Sequence, residues 1–249
     1  MEKQTVSTSS STIPTFTQIA AYLDRALGSE RFPHDQESIY HPSSSPVARI
    51  GLALEPWPGI ELWIEQQRLD ALFLHRPWKL DKKKLPEHIG VLASHLPFDA
   101  TLTFGLNPRL AQALSITRPA PFAPKDSIPQ GMHGTIKPTP VEDVLAMLTE
   151  IFGKAPIVQE IFSETVEHIA VVGAMNDALI REASAKGVNL YITGQFRPSA
   201  AAAMRETEMT VAEIGHAEGE RWGLRALASL LRERWAHLDV VLVQRPSSE

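Results

Sequence analysis

The sequence predicts an α/β fold in which mostly parallel sheets are flanked by helices. Apolar runs of five or six residues alternate with longer stretches of helical periodicity, the order that parallel strands joined by crossover helices require. A proline-rich stretch from Thr117 to Pro140, with little periodicity, separates two such βα-rich halves. These halves read as two similar lobes. The expected organisation is a tail over residues 1–14, a first α/β lobe over 15–116, a connection over 117–140 and a second lobe over 141–249.

Each element follows from its local pattern. Phe16, Ile19, Ala20, Leu23 and Leu27 share one helical face, and Thr15 can cap that helix. Residues 28–47 are rich in Gly, Pro and Ser, a loop long enough to be ordered. Arg49–Leu54 reads as a strand, Pro58–Gln67 as a helix with Pro in its first turn, and Leu69–Leu74 and Ile89–Ala93 as further strands. Asn107 caps a helix over Pro108–Leu114. In the second half, helices are predicted over Val141–Phe152, Asp177–Lys186, Ser199–Arg205 and Glu218–Trp235. Strands are predicted over Ile157–Phe162, Glu167–Val172, Val188–Thr193, Thr210–Ile214 and Leu238–Val243.

Composition narrows the chemistry. The 249-residue chain has no cysteine, which removes thiolate nucleophiles, iron–sulfur clusters and Cys-ligated zinc. A metal would have to be held by His and carboxylates, which suit zinc, manganese, iron, nickel or magnesium. The net charge of −5 argues against a nucleic-acid surface. The basic run Lys79–Lys84 is too short to reverse that reading and serves as a solvated loop. No apolar run approaches the ~20 residues that span a bilayer. The Ser/Thr-rich start lacks the basic and apolar regions of a secretory signal. A cytoplasmic protein is expected.

The candidate site residues sit at strand ends. His75, His95 and His216 each follow an apolar strand, where open α/β sheets bind ligands. His216 and Glu220 lie four apart, so on a helix they face one ion together. Taken alone, a capping His and a Glu that complements the helix dipole explain the pair as well or better. Asp99, on the loop after His95, is either a ligand or a turn cap. His75 is either a ligand or a hydrogen-bonded loop residue. There is no Gly-x-Ser-x-Gly elbow, no phosphate loop and no dinucleotide fingerprint.

Four segments in order resemble the Nif-three-like family, whose members carry the name type 2 GTP cyclohydrolase I. They are Asp70–Trp78, Ala93–Asp99 with Gly105-Leu106-Asn107, Tyr191–Gln195, and Gly215-His216 with Glu220. The resemblance spans residues 45–243. It implies two related lobes facing a metal cleft at the strand carboxyl ends, and a homo-oligomer, often a ring-shaped hexamer. It implies metal ligands at His75, Asp99, His216 and Glu220, with His95 lining the site. The family's second His is Arg76 here, and its Thr-Gly-Glu ends in Gln195. A guanidinium cannot ligate a metal, so one or two ions per chain are both in view, and Arg76 becomes a candidate for binding an anionic substrate.

The expected function is a metal-dependent hydrolase acting on a small, nucleotide-like or phosphorylated substrate, with His95 moving protons and Arg76 orienting the substrate. The alternative, motivated by Arg76 and Gln195, is a non-catalytic oligomeric metal-binding or interaction protein.

Overall fold

The structure is a computed structural model that describes residues 13–35 and 38–243. Most of the expected N-terminal tail (residues 1–12) lies outside the described residues. Two compact units divide the chain, one formed by Met1–His95 with Leu224–Glu249 and the other by Leu96–Gly223. Both are sheets flanked by helices, as the alternation predicts.

The first unit carries a five-stranded sheet in the order β1-β4-β3-β2-β11. Its strands are β1 (Ile39–His41), β2 (Arg49–Ala53), β3 (Ala71–Leu74), β4 (Gly90–Ala93) and β11 (Asp239–Leu242). All pairings are parallel except β1 with β4. The central strands are buried on both faces: every residue of β3 and β4 is buried, as continuous apolar runs between helices must be. Helix α1 (Phe16–Leu27) opens on a capping box between Thr15 and Gln18 and buries the predicted face. It lies so close to β4 that a Cβ at Gly90 would stand 2.3 Å from the Phe16 ring. Helix α2 (Ile60–Gln67) starts two residues after Pro58. β11, expected in the second lobe, instead pairs with β2, because parallel register places Val240 beside Ile50 within this sheet.

The second unit carries a six-stranded sheet in the order β5-β6-β8-β9-β10-β7. The strands are β5 (Thr117–Lys125), β6 (Ile128–Pro140), β7 (Ile157–Val158), β8 (Thr165–Val172), β9 (Leu190–Thr193) and β10 (Thr210–Glu213). β8, β9 and β10 are parallel, and antiparallel strands extend the sheet on either side. One face packs on α5 (Val141–Phe152) through Val144, Leu148 and Phe152. The other packs on α6 (Asp177–Ala185) and α7 (Ala201–Glu206) through Ile180, Ala183 and Met204.

The stretch 117–140, expected as a connection, is the β5–β6 hairpin. Pro119, Pro121 and Pro124 lie on β5, which is an edge strand of the sheet, where a missing N–H breaks no ladder on the open side; Pro129, Pro138 and Pro140 lie near the two ends of β6, with Pro138 inside the break in register between Thr135 and Thr139. Proline content therefore disguised a strand as a loop.

Candidate metal centre

β3 and β4 are neighbours in the sheet, with Leu74 paired to Ala93. Their ends therefore deliver His75 and His95 side by side, with ring centroids 5.0 Å apart. His75 is fully buried. Its Nδ1 lies 2.9 Å from the carbonyl oxygen of Ser94. A carbonyl only accepts, so Nδ1 carries the proton and Nε2 the lone pair, the tautomer in which a neutral imidazole binds a metal. His95 sits under Trp78, whose ring meets it edge-on at 5.2 Å.

Immediately after His95 the chain enters α3 (Leu96–Leu102), with Asp99 in its first turn. Asp99, expected on a loop, lies on a short helix instead, and Pro97 occupies its first turn, where a missing N–H is no loss. Beyond α3 the chain folds back so tightly at Gly105 that a Cβ there would fall 2.0 Å from the carbonyl oxygen of Ala100. Asn107 caps α4 (Pro108–Ala113) by accepting from the backbone N–H groups of Arg109 and Leu110, and donates to the Thr103 carbonyl. The Gly-Leu-Asn segment is thus a backbone clamp that fixes α3.

His75, His95 and Asp99 form one cluster, each offering a ligand atom, with those atoms all within 4.8 Å of one another. Ligands on one ion at about 2.1 Å each stand about 3.4 Å apart in tetrahedral geometry. These donors, within 4.8 Å of one another, would draw together by up to about 1.4 Å on binding, and two imidazoles with a carboxylate are a donor set for a borderline divalent ion. The residues fit a metal.

His216 and Glu220 form a second donor pair. His216 begins α8 (His216–Arg234), two residues before the predicted start, and its Nε2 lies 2.9 Å from Oε1 of Glu220. The Glu220 side chain is only 4% exposed, whereas that of His216 is 64% exposed. Glycines shape this end of the helix. Gly215 takes a left-handed φ of 99°, and a Cβ at Gly219 would meet the Phe104 ring at 2.3 Å. Gly223 is pressed against Phe98 of α3 in the same way, at 2.6 Å. The spacing read from sequence therefore does bring His216 and Glu220 together.

Arg76 hydrogen-bonds through Nη1 to Oε1 of Glu55, 3.0 Å away, and its side chain is 19% exposed. Glu55 follows β2 as Arg76 follows β3, so adjacent strand ends make the pair. Gln195 is exposed after β9.

Residues 75–247 match the family profile described as Duf34/NIF3 (NGG1p interacting factor 3). The chain belongs to this family. Among its relatives, a Pseudomonas aeruginosa protein named GTP cyclohydrolase 1 type 2 homolog is 28% identical over 156 residues, covering 62% of each chain. That match spans less than two thirds of the relative's length. A Pyrococcus horikoshii protein of the same name is 28% identical over 246 residues, covering 92% of this chain and 98% of the relative. The crystal structure of a Bacillus cereus protein related to NIF3 has a TM-score of 0.74 at 13% identity, covering 96% of this chain and 99% of that one. At that identity the likeness is one of fold.

For this Duf34/NIF3 chain, all three members of the cluster are among the residues named from sequence, His75 and Asp99 as ligands and His95 as lining the site and moving protons. Sequence reasoning missed Asp35, whose carboxylate accepts the His95 backbone N–H at 3.3 Å. It also passed over Glu55. Neither carries a local signal, because each reaches the site only through the fold.

Proposed function

We propose that the protein is a metal-dependent hydrolase acting on a small anionic, nucleotide-like substrate. The observation that carries this reading is the convergence of His75, His95 and Asp99 within 4.8 Å. His75 and Asp99 serve as ligands, and His216 with Glu220 are the further ligands that the family resemblance adds. A divalent ion held by such donors lowers the pKa of a bound water towards ~7 and so supplies hydroxide at neutral pH. His95, less buried than His75, moves protons between solvent and the reacting group. Arg76 orients an anionic group, its guanidinium aligned by Glu55. The name carried by the relatives makes GTP and other nucleotides the first substrates to try. We propose a cytoplasmic homo-oligomer, with a hexamer suggested by the family resemblance. No helix among the described residues is long and apolar enough to cross a membrane.

One observation favours a second reading. Arg76 is already engaged by Glu55, and a guanidinium whose charge is countered within the protein has less to offer a substrate. On this reading the protein binds metal and interacts with partners without catalysis.

Elemental analysis of metal per chain, for wild type and for Asp99→Ala and His216→Ala, tests the common ground of both readings. About one or two equivalents in wild type, reduced in Asp99→Ala, is the expected result. No metal after reconstitution overturns it. Turnover of a panel of nucleotides and phosphoesters by the metal-loaded protein then separates the two readings: hydrolysis abolished by Asp99→Ala supports the enzyme, and none across the panel supports the second.

A further inference from the structure

Asp35, between α1 and β1, brings a carboxylate to His95. Two hydrogen bonds anchor Ser38, which leads into β1, near the end of β4. The Ala93 N–H donates to the Ser38 carbonyl at 2.9 Å, and the Ser38 hydroxyl donates to the carboxylate of Asp24 on α1. Asp35 lies just before that anchor. Its side chain is only 8% exposed. Its Oδ2 accepts the His95 backbone N–H at 3.3 Å, and its Oδ1 stands 3.8 Å from His95 Nδ1.

We propose that Asp35 is a positioning residue that fixes His95 with its proton on Nδ1, so that Nε2 is the nitrogen turned to an ion or a substrate. The physical reason is the field of a poorly solvated carboxylate. At 3.8 Å the contact is electrostatic rather than a hydrogen bond, but a nearly buried charge is weakly screened. An Nδ1–H dipole pointing towards that charge is favoured, and an Nδ1 lone pair facing it is opposed. The ring has little freedom to turn away, because Trp78 meets it edge-on and the His75 ring lies against it at 5.0 Å. A carboxylate behind an imidazole is a recurring way to set the tautomer and orientation of a ligating or proton-transferring His. Here the backbone hydrogen bond adds a second hold on the same residue. The proposal deepens the reading of the His75, His95 and Asp99 cluster as a metal centre, and its functional consequence rests on that reading.

The test reads the tautomer directly. Protein with 15N-labelled histidine is studied by long-range 1H–15N NMR at about pH 8.5, where an ordinary imidazole is neutral. A His95→Gln sample assigns the His95 signals by difference. Wild type is expected to show His95 as the Nδ1–H form, Asp35→Ala to lose that preference, and Asp35→Asn to reduce it, because a neutral amide exerts a weaker field. Asp35→Asn keeps an acceptor for the backbone N–H, so it reports the charge even where Asp35→Ala folds poorly. An Nε2–H form in wild type, or an Nδ1–H population unchanged in Asp35→Asn and in any Asp35→Ala that folds, overturns the proposal. Zinc affinity is expected to fall about 10–100-fold in Asp35→Ala. A wild type that binds no zinc counts against the metal reading, while the tautomer still decides the role of Asp35.

Discussion

The Nδ1 of His75 donates to the carbonyl oxygen of Ser94, 2.9 Å away on the neighbouring strand end. One hydrogen bond between β3 and β4 thereby fixes which nitrogen of a fully buried imidazole carries the lone pair. On the proposed metal-centre reading, His75→Ala removes a ligand, so its divalent-metal affinity should fall by more than the 10–100-fold typical of losing an outer-shell partner. Zinc competition titration measures this. An affinity within about threefold of wild type would remove His75 from the ligand set.

Gly105 offers a test of the clamp behind Asp99. A Cβ at this position would lie 2.0 Å from a backbone oxygen of α3, and backbone cannot swing aside as a side chain can. Gly105→Ala should cost about 1–3 kcal/mol, the usual range for overpacking, as measured by urea denaturation. It should also lower metal retention, since the displaced segment carries Asp99. Unchanged stability would mean that this turn relaxes freely.

At Gly219 two effects oppose each other. Inside a helix, Ala is favoured over Gly by about 1 kcal/mol. The added methyl, however, would stand 2.3 Å from the ring of Phe104, which is buried beside Phe152. Packing should win. Gly219→Ala is expected to lower the urea midpoint and disturb the His216–Glu220 pair; a higher midpoint would show that the Phe104 ring yields.

Stability should also depend on a histidine pair within the second unit. His133 on β6 and His168 on β8 approach to 2.9 Å between Nδ1 and Nε2. Burial lowers the pKa of both below the ordinary 6.5, and His168 and Lys186 push His133 further down against a smaller opposing effect of Glu182. The folded state therefore binds fewer protons than the unfolded state in this range. The stabilisation is fully present above about pH 6.5 and is lost as pH falls from there through the lowered folded values. Urea midpoints measured from pH 7.5 down to 5 should fall in wild type and fall less steeply in His168→Gln. Parallel slopes would contradict this account.

Much of the fold was legible because its signals are local. The α1 face, the Thr15 and Asn107 caps and the apolar strands ending in His75 and His95 are periodicities and propensities within a few residues. The β5–β6 hairpin was not legible, because its prolines sit on the edge strand β5 or near the ends of β6, and those positions are a property of the whole sheet. The destination of β11 was hidden for the same reason: Leu238–Val243 reads as a strand, but nothing local says that it returns to the first sheet.

The sequence by itself determined the donor types, an all-imidazole and carboxylate chemistry with no thiol, and the positions of those donors at strand ends and on one helical face. Only the tertiary structure decided which of them meet. His75 and His95 converge because β3 and β4 are hydrogen-bonded neighbours in register, and Asp35 reaches His95 from 60 residues away along the chain. Strand order and loop return are long-range choices made by burial and backbone pairing over the whole unit. A window of a few residues fixes what a side chain can do, whereas the packed sheet fixes what it does it with.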